Sequence, residues 1–158
     1  MILSKKIIFF FFIIKLFLLN SCGFESIYSV KNTNFRFSEV KTNNQGISSI
    51  LEKKLTNYIS NDTNKTSYNI EIKLFQNKVI KSRNKKGEAL VYSIVIKGEI
   101  LIFKNIDLAY TLGVNKFFDY QNTDNKFDLS EYEESIQNNL VSNIQNDLII
   151  IIVDMQND

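Results

Sequence analysis

Alternation of apolar and polar residues predicts four β-strands. The clearest covers residues 68–74, where single polar residues separate four apolar ones, and we expect it to continue to about Ile80. A longer β-rich run covers 89–103, another strand covers 108–120 after a turn at 105–107, and a short strand is expected at 35–40. The expected core-facing positions of the two longest runs are Tyr68, Ile70, Ile72, Leu74, Leu90, Tyr92, Ile94, Ile96, Ile100 and Ile102.

Apolar residues at three- and four-residue steps predict two helices. The first covers about 45–60, with Asn43 or Asn44 as its cap, before a turn-rich segment at 60–67. The second begins at Asp128 or Ser130, each of which has a glutamate three residues later, as in a capping box. Its apolar stripe consists of Leu129, Tyr132, Ile136, Leu140, Ile144, Leu148 and Ile151. Its end is apolar all round and should be buried against the core or a partner.

The order strand, helix, three strands, helix predicts an α+β fold. Three successive strands with short turns form an antiparallel meander, and two amphipathic helices can cover one face. We therefore expect a two-layer sandwich, with a mainly antiparallel four-stranded sheet and two helices packed on one face, in a single domain over 35–158. The other face of the sheet carries Val91, Val95 and Leu101. These residues either contact a partner or belong to an ordinary solvent-facing surface of mixed apolar and polar residues.

The first 22 residues have the layout of an export signal. Lys5 and Lys6 precede an apolar run over 7–19, which Lys15 interrupts. The run is short for a membrane span of roughly 20 apolar residues, and a central lysine opposes insertion. An uncleaved N-terminal anchor with an incidental cysteine is the alternative.

The tetrapeptide Leu19-Asn20-Ser21-Cys22 resembles the lipobox of bacterial lipoproteins. The resemblance implies cleavage after Ser21, diacylglycerol on the Cys22 sulfur and an acylated new amine. Residues 1–21 would then be a signal peptide and 22–34 a lipidated tether. Gly23 stands where Asp would favour inner-membrane retention, so an outer-membrane location is expected by analogy.

Composition argues against catalysis. The chain has no His and one Cys, so the commonest general base, internal disulfides and most zinc sites are excluded. We expect no catalytic residues, no metal and no cofactor other than the covalent lipid on Cys22; a lipid-anchored enzyme is the least favoured class. The 19 basic residues fall to 16 without the three signal-peptide lysines, against 17 acidic ones, so nothing indicates a nucleic-acid partner.

The start of the expected mature chain resembles a known family. Cys22 to Tyr28 read CGFESIY, similar to the Cys-Gly-Phe-x-Pro-Leu-Tyr opening of alphaproteobacterial LptE-type lipopolysaccharide-assembly lipoproteins, with Ser26 and Ile27 replacing Pro and Leu. The element order is also similar, although the closing helix lacks the alanines common in the family. The resemblance implies a non-catalytic protein, lipid-anchored in the outer membrane, that plugs an LptD-type β-barrel and supports lipopolysaccharide insertion into the outer leaflet.

A basic segment is the candidate lipopolysaccharide site. Its cations are Lys78, Lys81, Arg83, Lys85 and Lys86. Arginine and lysine hold phosphates by charge-assisted hydrogen bonds, and lipid A bears phosphates. A solvated hairpin end is the alternative. Lys116 is a weaker candidate.

Aromatic and acidic residues offer further candidates. An interface belt or the core could hold the aromatic residues Tyr28, Tyr92, Tyr110, Tyr120, Phe117 and Phe118. Asp119, Asp124 and Asp128 do not have EF-hand spacing and favour turn or capping roles.

A second function class has the same sequence features. The auxiliary lipoprotein of a lipid-transport ABC system, a periplasmic binding module, would also carry a lipobox and an α+β domain. The two classes differ in their partner, which is an outer-membrane barrel in the first and an inner-membrane ATPase complex in the second.

Overall fold

Four strands and two helices form the part of the chain that the computed structural model describes, residues 33–42 and 46–157. The predicted signal peptide at 1–21 and nearly all of the predicted tether at 22–34 lie outside it. The elements are β1 (Phe35–Thr42), α1 (Ile47–Leu55) with a 3-10 turn (Thr56–Tyr58), β2 (Thr66–Arg83), β3 (Ala89–Lys104), β4 (Asp107–Gln121) and α2 (Lys126–Asn157). The predicted order and the α+β class are confirmed.

The sheet is mostly antiparallel, with strand order β1-β2-β3-β4. β2, β3 and β4 form the predicted meander, whereas β1 pairs with β2 in parallel because α1 carries the chain back between them. β1 is the shorter partner, and its pairing runs from Phe35 opposite Thr66 to Thr42 opposite Ile72. Beyond Ile72, the outer edge of β2 has no strand beside it among the described residues.

The core lies between the sheet and the two helices. Alternate residues of β2 and β3 point to this side, as the pattern predicted, and Ile72, Ile96 and Ile100 are fully buried. On β1, Phe35 packs against Tyr58 with ring centroids 5.6 Å apart. Leu90 departs from the prediction and is exposed, because it lies at the tip of the β2–β3 hairpin.

Helix α1 is shorter than predicted and is attached directly to β2. Gly46 precedes it with a φ of 50°, and the chain tightens into the 3-10 turn after Leu55. The predicted caps Asn43 and Asn44 lie outside the described residues. The buried Ser48 hydroxyl donates to the Leu74 carbonyl and accepts from the Leu74 N–H, both at 3.2 Å. This pair of bonds joins the start of α1 to β2 just beyond the end of β1.

The predicted caps of the closing helix, Asp128 and Ser130, are wrong. α2 begins at Lys126, and the Asn125 side-chain oxygen accepts from the backbone N–H groups of Phe127 (3.2 Å) and Asp128 (3.4 Å). An asparagine can satisfy the free donors of a first turn as well as a serine or an aspartate can. The segment offers several such residues in succession, so periodicity alone does not select among them.

Most of the predicted α2 stripe is buried. Of that stripe, Tyr132 is exposed and Ile151 half-buried, while Val141, Ile149 and Ile152 are buried in addition, because α2 packs against both the sheet and α1. The all-apolar end of the helix is therefore largely part of the core. Across the described residues, no helix combines the length and apolarity needed to cross a bilayer.

Candidate functional site

Asn84 organises the turn between β2 and β3. Its side-chain oxygen accepts from the backbone N–H groups of Lys86 (2.9 Å) and Glu88 (3.0 Å), and its amide nitrogen lies 2.6 Å from the Glu88 carboxylate. Gly87 supplies the left-handed backbone, with a φ of 84°. Arg83 donates to the Gly87 carbonyl at 2.7 Å. The loop is therefore shorter than the predicted tip at 81–87, since β2 continues to Arg83.

The structure brings four of the five predicted cations together. Lys81 and Arg83 end β2, and Lys85 and Lys86 stand in the turn; all four are exposed. Among the described residues, no carboxylate pairs with Lys81, Lys85 or Lys86. We call these four residues the basic tip. It is a solvent-facing cluster of positive charge whose backbone is fixed by Asn84 and Gly87.

Lys78 does not belong to the basic tip. Its ammonium lies 2.5 Å from the Glu133 carboxylate of α2 and 4.3 Å from the centroid of the Tyr92 ring. The reason is strand alternation: Lys78 lies opposite Ile94 on the helix-facing side of the sheet. Its charge is thus used within the fold.

Two of the predicted interface aromatics pack inside the molecule. The buried Tyr120 donates a hydrogen bond to the Glu133 carboxylate at 2.7 Å, and its ring lies 5.9 Å from that of Tyr92 and 6.1 Å from that of Tyr132. Burial raises the pKa of Tyr120, and the hydrogen bond and charge of Glu133 raise it further. Tyr28 lies outside the described residues.

Other aromatics are exposed, and Phe117 belongs to an apolar patch on the sheet face away from the helices. Val95 lies opposite both Asn77 and Phe117 in neighbouring strands, so Phe75 and Val79 are its diagonal neighbours. Phe75 and Phe117 are each 61% exposed. We call Phe75, Val79, Val95 and Phe117 the outer patch. An exposed apolar cluster of this kind is typical of a surface that meets a partner.

The same face is charged nearer the other end of the sheet. The Lys73 ammonium lies 3.1 Å from the Glu71 carboxylate and 3.9 Å from that of Glu99. Such exposed pairs stabilise a fold only slightly but keep a surface solvated. The outer patch is therefore confined to the end of the sheet that carries the basic tip.

Two further candidates, Lys116 and Asp128, have local roles. Lys116 pairs with Asp147 of α2 at 2.7 Å and so lies on the helix-facing side. Asp128 stands in the first turn of α2, where a carboxylate interacts favourably with the helix dipole. In residues 33–42 and 46–157, no three His, Cys, Asp or Glu side chains are grouped so as to hold a metal ion.

Comparison with known proteins identifies solved structures with this architecture. No protein-family profile and no curated sequence matches the chain. Rare lipoprotein B from Shewanella oneidensis superimposes with a TM-score of 0.54 at 9% identity, over 77% of this chain and 98% of that one. An uncharacterized lipoprotein B from Nitrosomonas europaea superimposes with a TM-score of 0.55 at 17% identity, over 78% of this chain and 88% of that one. The chain shares their fold.

Sequence reasoning missed two residues that shape the site. Asn84 fixes the backbone of the basic tip through its side-chain hydrogen bonds. The sequence signal for this role is an Asn three residues before a Gly within a polar segment. Glu133 binds both Lys78 and Tyr120. The sequence indicates Glu133 only as a capping-box partner of Ser130. No local pattern reveals its contacts with Lys78 and Tyr120, which are distant in sequence.

Proposed function

We propose that this chain is an outer-membrane lipoprotein, anchored through lipid on Cys22, that plugs and supports an LptD-type β-barrel during lipopolysaccharide insertion. The observation that carries the proposal is the coincidence of the lipobox at Leu19–Cys22 with a fold shared by two solved lipoproteins. The fold likeness agrees with the family resemblance of the Cys22–Tyr28 segment. In this role the protein has no substrate turnover and acts by binding.

The outer patch is the surface that we assign to the barrel. The fold does not need Phe75 and Phe117, because both lie on the face away from the helices and are mostly exposed. Burying side chains of this size against a partner contributes about 1.5–3 kcal/mol each. Contact with a barrel wall would provide that burial.

The basic tip is the surface that we assign to lipopolysaccharide phosphates. Lys81, Lys85 and Lys86 are exposed and have no carboxylate partner among the described residues, so their ammonium groups are available to an anion. The Asn84-centred hydrogen bonds fix the turn in advance, which lowers the entropic cost of binding. Charge-assisted bonds from lysine and arginine suit a phosphate-bearing lipid.

Affinity purification from detergent-solubilised membranes tests the partner. We expect the full chain to retain a large outer-membrane β-barrel and Phe117→Asp to reduce its recovery severalfold. Phe127→Asp is the matched control, since Phe127 is 71% exposed and lies outside the outer patch. Recovery of an inner-membrane ATPase complex instead would contradict the proposal and favour the auxiliary lipoprotein of a lipid-transport ABC system.

Charge reversal tests the basic tip. Lys85→Glu combined with Lys86→Glu should weaken lipopolysaccharide binding by on the order of tenfold or more, because two charge-assisted contacts become repulsive. Arg83 is left in place because it supports the turn. The adjacent lysines of α1 provide the control, as Lys53→Glu with Lys54→Glu makes the same change in net charge. Equal binding by the two double variants would remove the tip from the site.

A further inference from the structure

The β3–β4 turn presents an apolar side chain to solvent at its apex. Ile106 is 92% exposed, and Leu108 just after it is also exposed. Phe103 lies opposite Leu108 and is half-buried. Asn105 adopts a φ of 59°, a left-handed conformation that asparagine tolerates in tight turns. A two-residue turn normally carries polar residues, so an isoleucine at its apex is unfavourable in water.

This turn lies at the end of the sheet where the chain enters the domain. β1 begins at Phe35 opposite Thr66, and two positions along β2, Tyr68 lies opposite Lys104 of β3. The Asn69 side chain donates to the Asn105 carbonyl at 3.2 Å. Because only β2 separates β1 from β3, the turn and the entry point are about two strand spacings, or roughly 10 Å, apart.

The lipid anchor would hold this end of the domain close to a bilayer. Twelve residues separate Cys22 from Phe35, and twelve extended residues span at most about 40 Å. A lone isoleucine favours an apolar environment only by on the order of ten- to a hundredfold, which is too weak to bind a free protein to a membrane. A tether converts the contact into an intramolecular one with a high effective concentration, so even this preference suffices.

We propose that the β3–β4 turn inserts into the surface of the lipid bilayer to which Cys22 is anchored. Ile106 enters the bilayer most deeply, and Leu108 contacts it next to Ile106. The inference rests on the proposed lipidation of Cys22. Lys104 flanks the turn and can reach headgroup phosphates while its stem lies on apolar surface. The basic tip, at the far end of the 18-residue strand β2, lies at the opposite end of the sheet from the inserted turn.

Tryptophan fluorescence tests the insertion, because the natural chain contains no Trp. The Ile106→Trp variant of the full lipidated chain is reconstituted into phosphatidylcholine–phosphatidylglycerol vesicles with a doxyl-labelled lipid. We expect its emission to shift to shorter wavelength and to be quenched at least twofold. Phe127→Trp is the matched control, since its segment lies beside the basic tip, where the Asn122 N–H donates to the Leu90 carbonyl. Quenching equal to that of this control would overturn the proposal.

Mass spectrometry of the N-terminal peptide distinguishes failure of the proposed turn insertion from failure of the proposed lipidation of Cys22. A diacylglycerol-modified Cys22 together with an unquenched Ile106→Trp indole would overturn the insertion of the turn and leave the anchor standing. An unmodified Cys22 thiol would overturn both. A modified Cys22 with selective quenching at position 106 supports both.

Discussion

The two halves of strand β2 differ in residue pattern and differ completely in burial. In Thr66–Leu74, every second side chain from Tyr68 onward is buried to 2% exposure or less. In Phe75–Arg83, which we call the distal half, no side chain is buried, and Ile80 is 42% exposed although its position faces the helix side. The strict alternation of apolar and polar residues also ends at Leu74, because Gln76 and Lys78 take the helix-facing positions beyond it.

The ends of β1 and α1 explain the difference. β1 pairs no further than Ile72, and the Ser48 hydroxyl of α1 binds the backbone of Leu74. Beyond this point, no strand of the described chain pairs with the outer edge of β2. Burial requires a neighbouring element, and residue pattern alone does not show where β1 ends.

The outer face of the sheet shows the reverse distribution. Next to the packed half, Glu71, Lys73 and Glu99 keep this face charged. Next to the distal half, the outer patch leaves it apolar. The outer patch therefore lies where the fold gains least from apolar side chains, and this is the physical reason for assigning it to a partner.

Truncating equivalent isoleucines in the two halves should give the largest difference. Ile72→Ala leaves a cavity in the core and should lower the free energy of unfolding by about 2–5 kcal/mol. Ile80→Ala removes the same atoms from an exposed site and should cost about 1 kcal/mol or less. Urea denaturation of both variants measures the comparison. Equal losses would mean that the distal half is covered in solution.

Removing the hydroxyl that ends the packed half should have an intermediate effect. Ser48→Ala leaves the Leu74 N–H and carbonyl without their side-chain partner in a buried site, and should cost about 1–3 kcal/mol. Ser49→Ala, the same change at the next, half-buried residue, is the control. Hydrogen exchange at the Leu74 amide should accelerate only in the first variant. Unchanged exchange there would show that the hydroxyl does not protect this edge.

Tyr120 should give the smallest effect and the only one that depends on pH. Tyr120→Phe loses the bond to Glu133 and should cost about 0.5–1.5 kcal/mol near neutral pH. The folded pKa of Tyr120 is raised, so the unfolded chain loses this proton first, at about pH 10. Stability from this group is complete below that pH and falls above it by up to about 1.4 kcal/mol per pH unit.

Urea denaturation at pH 9 and pH 11 measures this dependence. The natural chain should lose more stability between the two values than Tyr120→Phe does, and Tyr110→Phe serves as the control at an exposed tyrosine. Identical losses in the natural chain and in Tyr120→Phe would show that burial and Glu133 do not control this proton.

Much of the fold was predictable because it depends on local periodicity. The order of elements, the faces of β2 and β3 and most of the α2 stripe follow directly from residue spacing. The parallel pairing of β1, the early end of α1 and the cap at Asn125 do not, because they depend on which segments meet in three dimensions. Leu90 and Tyr132 fit the expected apolar faces, but each stays 49% exposed.

The candidate site was predictable only as a cluster of charge. Proximity along the chain groups Lys81, Arg83, Lys85 and Lys86, and all four are exposed. It failed for Lys78, whose partner Glu133 is 55 positions away in sequence. The outer patch was only partly foreseen, through Val95 and Phe117, because Phe75 and Val79 become their neighbours by strand register.

Site-specific photo-crosslinking from position 117 in living cells tests the central claim most directly. The outer patch is the claimed partner surface, and Phe117 and Phe75 are its most exposed members. A benzoylphenylalanine at this position should form one major adduct with an outer-membrane β-barrel, and the same group at position 99, in the charged part of the outer face, should form little. An adduct with an inner-membrane ATPase component, or equal adducts from both positions, would contradict the account.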